Sequence, residues 1–344
     1  MDLDIGLILA AQTPQGAFPA SKEFSQYNHC WLRDGSFIAY ALARAGHAAA
    51  SARFHDWVAR AILRHEGLID ELLATEGLPD AARMLPARFA LDGGITGDDW
   101  PNFQMDGYGQ WLWAVAEHVS RGGTVPDVRA VSLVARYVAR FWQTPCYDAW
   151  EEGRTQLHTS TLVSCWAGLQ AASRLLDDGS FADVAGSIEA FVLADCVHDG
   201  HLVKQVGSAA VDASLLWAIV PFGFATDELA ARTLEAVRRD LLQGGGVIRY
   251  RADTYYGGGT WLLLTAWLGW VEASAGATES AWQRWEWVQD RRQPDGALPE
   301  QVPVGRTHDW FLEWWRVNWG ESASPLVWSH AMTVVLGLEL LDRS

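Results

Sequence analysis

Six stretches of the chain are apolar almost all the way round a helix, and each follows a loop rich in glycine, aromatic or acidic residues. They begin near Asp34 (DGSFIAYALARAG), Asp106 (DGYGQWLWAVAEHV), His158 (HTSTLVSCWAGLQAASRLL), Asp212 (DASLLWAIVPFGF), Gly258 (GGTWLLLTAWLGWVEAS) and Pro325 (PLVWSHAMTVVLGLELL). Helices of this kind are buried on most sides. Between them run segments with one apolar stripe and more charge: Ala48–His65, Asp127–Trp142, Ser180–Cys196, Asp227–Gln243 and Glu279–Arg291, with Leu3–Ala11 ahead of all. One-sided stripes predict outer helices. The inner starts step by 72, 52, 54, 46 and 67 residues, a spacing that suits one helix pair and its loops. The alternation predicts an all-α double ring, six helices inside and six outside. Strand signals are confined to short stretches such as Gly246–Tyr250. No linker or low-complexity tract divides the chain, so residues 1–344 read as one domain with an elaboration at Gly67–Asp99. The loops that lead into the inner helices converge on one end of such a ring, where function is expected.

Composition narrows the chemistry. The 344 residues carry 26 basic and 42 acidic side chains, a net charge of −16, with no basic run to meet a phosphate backbone, so nucleic-acid binding is not expected. No run approaches the roughly 18 apolar residues of a membrane helix, and Met1–Asp4 lacks the basic start of an export signal. Cys30, Cys146, Cys165 and Cys196 are widely spaced, which fits reduced thiols and a cytoplasmic setting. The outlier is tryptophan, with 20 residues against 8 Tyr and 4 Met. Trp111, Trp166, Trp217 and Trp267 fall inside inner helices and are expected to pack. Trp31, Trp100, Trp150, Trp261 and Trp328 fall at loop–helix junctions beside charged residues.

Those junctions hold five polar-aromatic clusters. Arg33 and Asp34, in YNHCWLRD, could grip hydroxyls as donor and acceptor, or be an N-cap with a salt bridge. Asp98–Gly107 (DDWPNFQMDG) sets an indole, an amide and Asp106 before a helix, or is a capped loop around a buried Trp. In Tyr147–Gly153 (YDAWEEG), Glu151 and Glu152 adjoin an indole; of two carboxyls held near each other, or one held against an apolar ring, one keeps its proton towards neutrality, as a general acid must. The plainer reading is a solvated acidic loop. In Arg249–Trp261 (RYRADTYYGGGTW) the glycines lack the GK[ST] of a phosphate loop and suit close ligand approach or a sharp turn. Glu300, in PDGALPEQ, is ordinarily a solvent-exposed loop residue. The chain shows no HExxH, clustered His/Cys, GxGxxG or GxSxG, so no metal or cofactor is expected. Separated carboxylates, indole faces and Arg–Asp pairs make a carbohydrate site the natural reading.

The motifs WLRDGSF, WPNFQMDG, YDAWEE, RYRADTYYGGGTW, LPEQ and LVWSHA, in that order from Tyr27 to His330, resemble those of the glucoamylase-like glycoside hydrolases of family 15. The resemblance implies an (α/α)6 barrel, in agreement with the twelve helices counted above. It implies Glu151 as general acid and Glu300 as general base of an inverting hydrolysis. Arg33 and Asp34 would clamp the hydroxyls of the non-reducing glucose, with Arg249 a second arginine near that ring. Tyr27, Trp31, Trp100 and Trp328 would line the pocket, Glu152 would meet the leaving-group sugar, and Asp148 would orient the acid loop. Asp106, Trp150 and Trp261 complete the set of expected substrate-binding residues.

Unlike many relatives, these 344 residues show no export signal, starch-binding module or β-sandwich domain. The expectation is therefore a cytoplasmic enzyme that releases glucose from short α-gluco-oligosaccharides, isomaltose-type α-1,6 linkages ahead of α-1,4. An α,α-trehalase on the same scaffold, a non-catalytic carbohydrate-binding toroid and a helical scaffold for protein partners are the alternatives.

Overall fold

The computed structural model describes every residue except Asp99, Pro101, Arg306, Thr307 and Ser344. Two members of the second cluster, Asp99 and Pro101, thus lie outside the described residues. In chain order the α-helices are α1 (Asp2–Ala11), α2 (Leu32–Arg44), α3 (Ala48–Arg64), α4 (Glu66–Ala74), α5 (Asp106–Ser120), α6 (Val128–Phe141) and α7 (Thr159–Leu176). They continue as α8 (Ser180–Asp195), α9 (Leu216–Ile219), α10 (Asp227–Leu241), α11 (Leu262–Ser274), α12 (Thr278–Gln289), α13 (Asp309–Trp319) and α14 (Val327–Asp342).

Helices α2, α5, α7, α9, α11 and α14 each touch the next, and α14 returns to α2, which closes the inner ring. Helices α1, α3, α6, α8, α10 and α12 form the outer layer, so the (α/α)6 barrel stands as expected. The burial pattern gives the reason. In α2, Leu32 to Leu42 are all buried, whereas α6 buries Val131, Val134, Ala135 and Val138 and turns Arg129, Arg136 and Arg140 outward. Helix α4 begins one residue ahead of the elaboration expected at Gly67–Asp99 and runs into it. Helix α13 was not expected.

The fourth inner helix departs most from the pattern. Asp212 caps a short 3-10 turn, Ala213–Leu215, by accepting from the Ser214 N–H, and α9 then runs for only four residues. Pro221 follows after Val220; with its fixed φ and no N–H, proline does not continue a helix. Inside the ring, buried aromatic side chains pack on one another. Phe37 packs 4.6 Å from Trp267 and 5.8 Å from Trp328, and Trp217 lies 5.6 Å from Trp267. Trp111, Trp217 and Trp267 are fully buried, as their expected packing role requires, and Trp166 is partly buried against Phe224. Each buried aromatic of this size removes roughly 200 Å² from water.

Among the described residues, eight two-residue strands brace the loops. Cys30–Trp31 pairs with Arg88–Phe89, and a four-stranded antiparallel sheet joins Leu242–Gln243, Gly246–Val247, Thr260–Trp261 and Gln301–Val302. Its register sets Trp261 opposite Gln301, so the residue after Glu300 is tied to the entry of α11.

Helices α5 and α7 meet backbone to backbone. A Cβ on Gly109 would sit 2.2 Å from the Ser164 carbonyl oxygen, and one on Gly168 would sit 2.4 Å from that of Gly109. Gly109→Ala must therefore spread two inner helices. The expected loss is about 1–3 kcal/mol, as for other overpacked cores, measured as a lower midpoint of urea denaturation.

Candidate active site

The converging loops enclose a pocket of about 360 Å³. Of the residues singled out in the sequence, Tyr27, Trp31, Arg33, Asp34, Trp100, Trp150, Glu151, Glu152, Arg249, Trp261, Glu300 and Trp328 all line it. Asp106 does not; it is buried behind Arg33 and accepts from its guanidinium at 3.1 Å. Arg33, Asp34, Arg249, Glu300 and Trp328 are buried at the floor, and Trp100 and Glu152 are partly exposed towards the rim. The solvated loop expected around Glu300 is corrected here: the residue is 2% exposed, because α14 and the four-stranded sheet fold over it.

Glu151 sits on a strained turn. Its φ of +61° is a left-handed conformation that costs a non-glycine residue on the order of 1–2 kcal/mol. Asp148 holds that turn by accepting the N–H groups of Trp150 and Glu152 at 2.9 Å each, while its own backbone oxygen takes the Glu151 N–H. Lys204 bridges Asp148 and Asp212 at 2.9 and 2.8 Å, and Asp212 accepts the Trp150 indole N–H. The Glu151 carboxylate receives Trp31 Nε1 at 3.1 Å, Gln104 Nε2 at 3.3 Å and Arg33 at 3.5 Å. Burial raises its pKa, and Arg33 and Gln104 pull the other way.

Across the pocket, Glu300 Oε1 accepts the Tyr27 hydroxyl at 3.0 Å, and Tyr27 and Tyr255 share a hydrogen bond of the same length. Glu300 Oε2 has no hydrogen-bond partner among the described residues. Burial pushes the Glu300 carboxyl up to about 8 against the pull of Tyr27 and Arg249. Asp34, buried beside Arg33, is likewise pushed up to about 7, and its Oδ1 has no hydrogen-bond partner among the described residues. Arg249 is clamped by Asp253 and reaches Glu152 at 3.4 Å, and Glu152 also accepts the Tyr250 hydroxyl. Arg88 lies 4.3 Å from the Trp100 ring and 5.2 Å from Trp31, anchored by Asp98.

Sequence reasoning missed Arg88, Gln104, Lys204, Tyr250, Asp253 and Tyr255 as site residues, and also Trp315 and Trp319 of α13, which line the pocket. Tyr250, Asp253 and Tyr255 stood inside a quoted motif. For α13 there was a signal: four Trp in the eleven residues Asp309–Trp319.

The segment bearing Glu300 has every backbone polar group paired. Leu298 N–H donates to His330 Nε2 at 3.1 Å, Leu298 O accepts from Leu326, and Pro299 O accepts from the Ser329 hydroxyl. Glu300 N–H donates to Ala323 O, and Glu300 O accepts from Leu262. A backbone N–H can only donate, so His330 Nε2 carries no proton, and Nδ1–H donates to the buried Asp4 at 2.8 Å. His330→Leu strands the Leu298 N–H in the interior. Its expected cost is about 1–3 kcal/mol in urea denaturation, with a smaller loss for His330→Gln, whose amide oxygen can accept.

Residues 4–291 match the profile of the glycosyl hydrolases family 15. Isomaltose glucohydrolase of Kribbella flavida is 43% identical over 97% of this chain and 90% of its own length. A solved glycosidase in complex with glucose, 42% identical, superposes with a TM-score of 0.94 over 98% of this chain and 96% of that one. More distant is a trehalase of Mycolicibacterium smegmatis, 26% identical over 76% of this chain and 43% of its own length. Carboxyls, guanidinium–carboxylate pairs and indoles gathered in one pocket of an (α/α)6 barrel suit this kinship, and the chain belongs to glycoside hydrolase family 15.

Proposed function

We propose that this glycoside hydrolase is an inverting, exo-acting α-glucosidase that releases glucose from the non-reducing end of short α-gluco-oligosaccharides, with isomaltose-type α-1,6 linkages preferred. The observation that carries the reading is the pair Glu151 and Glu300, from two separate loops, lining one pocket with a buried floor. A pocket rather than an open groove admits a chain end. The preference for isomaltose rests on the likeness to the Kribbella enzyme.

In this reading Arg33 and Asp34 bind hydroxyls of the glucose at the floor, and Arg249 holds the other side of the ring. Tyr27, Trp31, Trp100, Trp150, Trp261 and Trp328 wall it in, and Glu152 meets the leaving-group side. Asp106 acts through Arg33. Glu151, one-fifth exposed, donates its proton to the glycosidic oxygen. Glu300 takes a proton from a water through its open Oε2, and that water attacks C1 from the opposite face through an oxocarbenium-like transition state. Inversion calls for carboxyls roughly 6.5–9.5 Å apart rather than the 5–5.5 Å of a covalent mechanism.

The reactive form has the proton on Glu151 and the charge on Glu300. At low pH both carboxyls are protonated and no base remains; at high pH both are ionised and no acid remains. Because burial raises both, kcat/KM is expected to follow a bell whose acid limb lies above the ordinary 4.5 and whose alkaline limb lies near 8. Both limbs belong to the pair. A profile already flat at pH 5 and falling by pH 6 would contradict it.

A second reading, α,α-trehalase, is supported by the trehalase relatives. A proton NMR time course on isomaltose, maltose, panose and trehalose separates them. Isomaltose should disappear fastest and β-glucose should appear first, with Glu151→Gln and Glu300→Gln each slowing turnover about 10²–10⁴-fold. Cleavage of trehalose alone would replace the proposed substrate, and α-glucose as the first product would remove inversion.

A further inference from the structure

Helix α13 is built unlike the rest of the barrel. Leu312 is its one buried residue among those described, yet it carries four Trp. Trp315 seats it: the indole lies edge-on to Tyr255 at 4.8 Å and stacks on Tyr256 at 5.5 Å. Gly257, at φ +80°, allows the approach, since a Cβ there would stand 2.9 Å from the His308 carbonyl oxygen and 3.1 Å from the Leu312 Cβ. The helix is also tied down by His308 N–H to Gly257 O and by the Arg316–Glu321 ion pair.

At 100° per residue, Leu312, Trp315 and Trp319 share one face, and Trp310, Trp314 and Val317 lie about half a turn away. The first face borders the pocket, where both Trp315 and Trp319 form part of the wall. Trp315 is half-buried by its tyrosine neighbours, whereas Trp319 remains 48% exposed. The guanidinium–carboxylate pairs lie at the floor, so the first ring is engaged there, and a half-exposed indole at the mouth has that ring's neighbour to meet. Phe24 and Trp100 line the same pocket and are also partly exposed.

We propose that α13 supplies the binding site for the leaving-group sugar, with the Trp319 indole as the face on which that ring stacks. The inference rests on the proposed glucosidase reading and adds a residue for the second ring. Stacking holds a pyranose by its C–H face and leaves its hydroxyls outward. The site therefore binds a neutral hexose ring without reading every hydroxyl.

The test compares two substrates that share the first ring and differ in the second: α-glucosyl fluoride, whose leaving group is too small to reach the mouth, and whichever disaccharide of the panel is cleaved. In Trp319→Ala, kcat/KM for the disaccharide should fall about tenfold further than that for the fluoride, as the loss of roughly 50–60 Å² of apolar contact implies. The loss should appear mainly in KM, because stacking is made in ground and transition states alike. Trp319→Phe should recover part of it. Trp310→Ala, on the opposite face, serves as the control for disturbance of the helix. A parallel fall on both substrates, no change on either, or an equal effect of Trp310→Ala would overturn the inference. Failure of the unaltered enzyme on the fluoride and on every disaccharide would instead remove the glucosidase reading.

Discussion

Arg33 is 5% exposed and permanently charged, so its guanidinium must be surrounded by acceptors. Asp106 and Gln104 take one edge, Asp34 lies 3.6 Å from Nε, and Glu151 closes the ring at 3.5 Å. These acceptors come from the starts of α2 and α5 and from the loop that carries Glu151. A single buried cation thus fixes the relative positions of three loops. It also divides labour among the carboxyls. Asp106, behind the guanidinium, accepts a hydrogen bond from it, whereas Asp34 and Glu300 line the pocket, and burial raises their pKa values.

A similar logic holds the second cation. Lys204 is mostly buried between Asp148 and Asp212, with its ammonium 3.8 Å from the Tyr250 ring. Burial alone would lower its pKa, but the two carboxylates raise it. With its charge secured, Lys204 keeps Asp148 in place to hold the left-handed turn at Glu151. The strain at that residue is therefore balanced by groups far from it in the chain.

This distance explains what the sequence could reveal. Inner and outer helices were legible because their apolar periodicity is a local property, and clusters such as WLRD and YDAWEE were legible because their members are neighbours. Lys204 lies more than fifty residues from Asp148, and nothing in the intervening sequence joins them. Glu300 looked like a loop residue because its burial comes from α14 and from a strand pairing with Trp261. The short α9 could have been foreseen from Pro221, but the apolar run through that proline masked it. Helix α13 escaped the pattern because its aromatic residues occupy opposite faces, leaving no single stripe.

The buried floor has a kinetic corollary. Among the described residues, Trp328 and Arg33 close the inner end, backed by Phe37 and the other aromatics in the barrel. On the proposed reaction, the departing sugar stands between the new glucose and solvent. It must leave first, and the glucose follows through the same opening. Each turnover therefore ends with an emptied pocket, so the enzyme cannot slide along a longer chain from one cut to the next. Accumulating glucose would compete for the same floor and slow the enzyme as its product builds up.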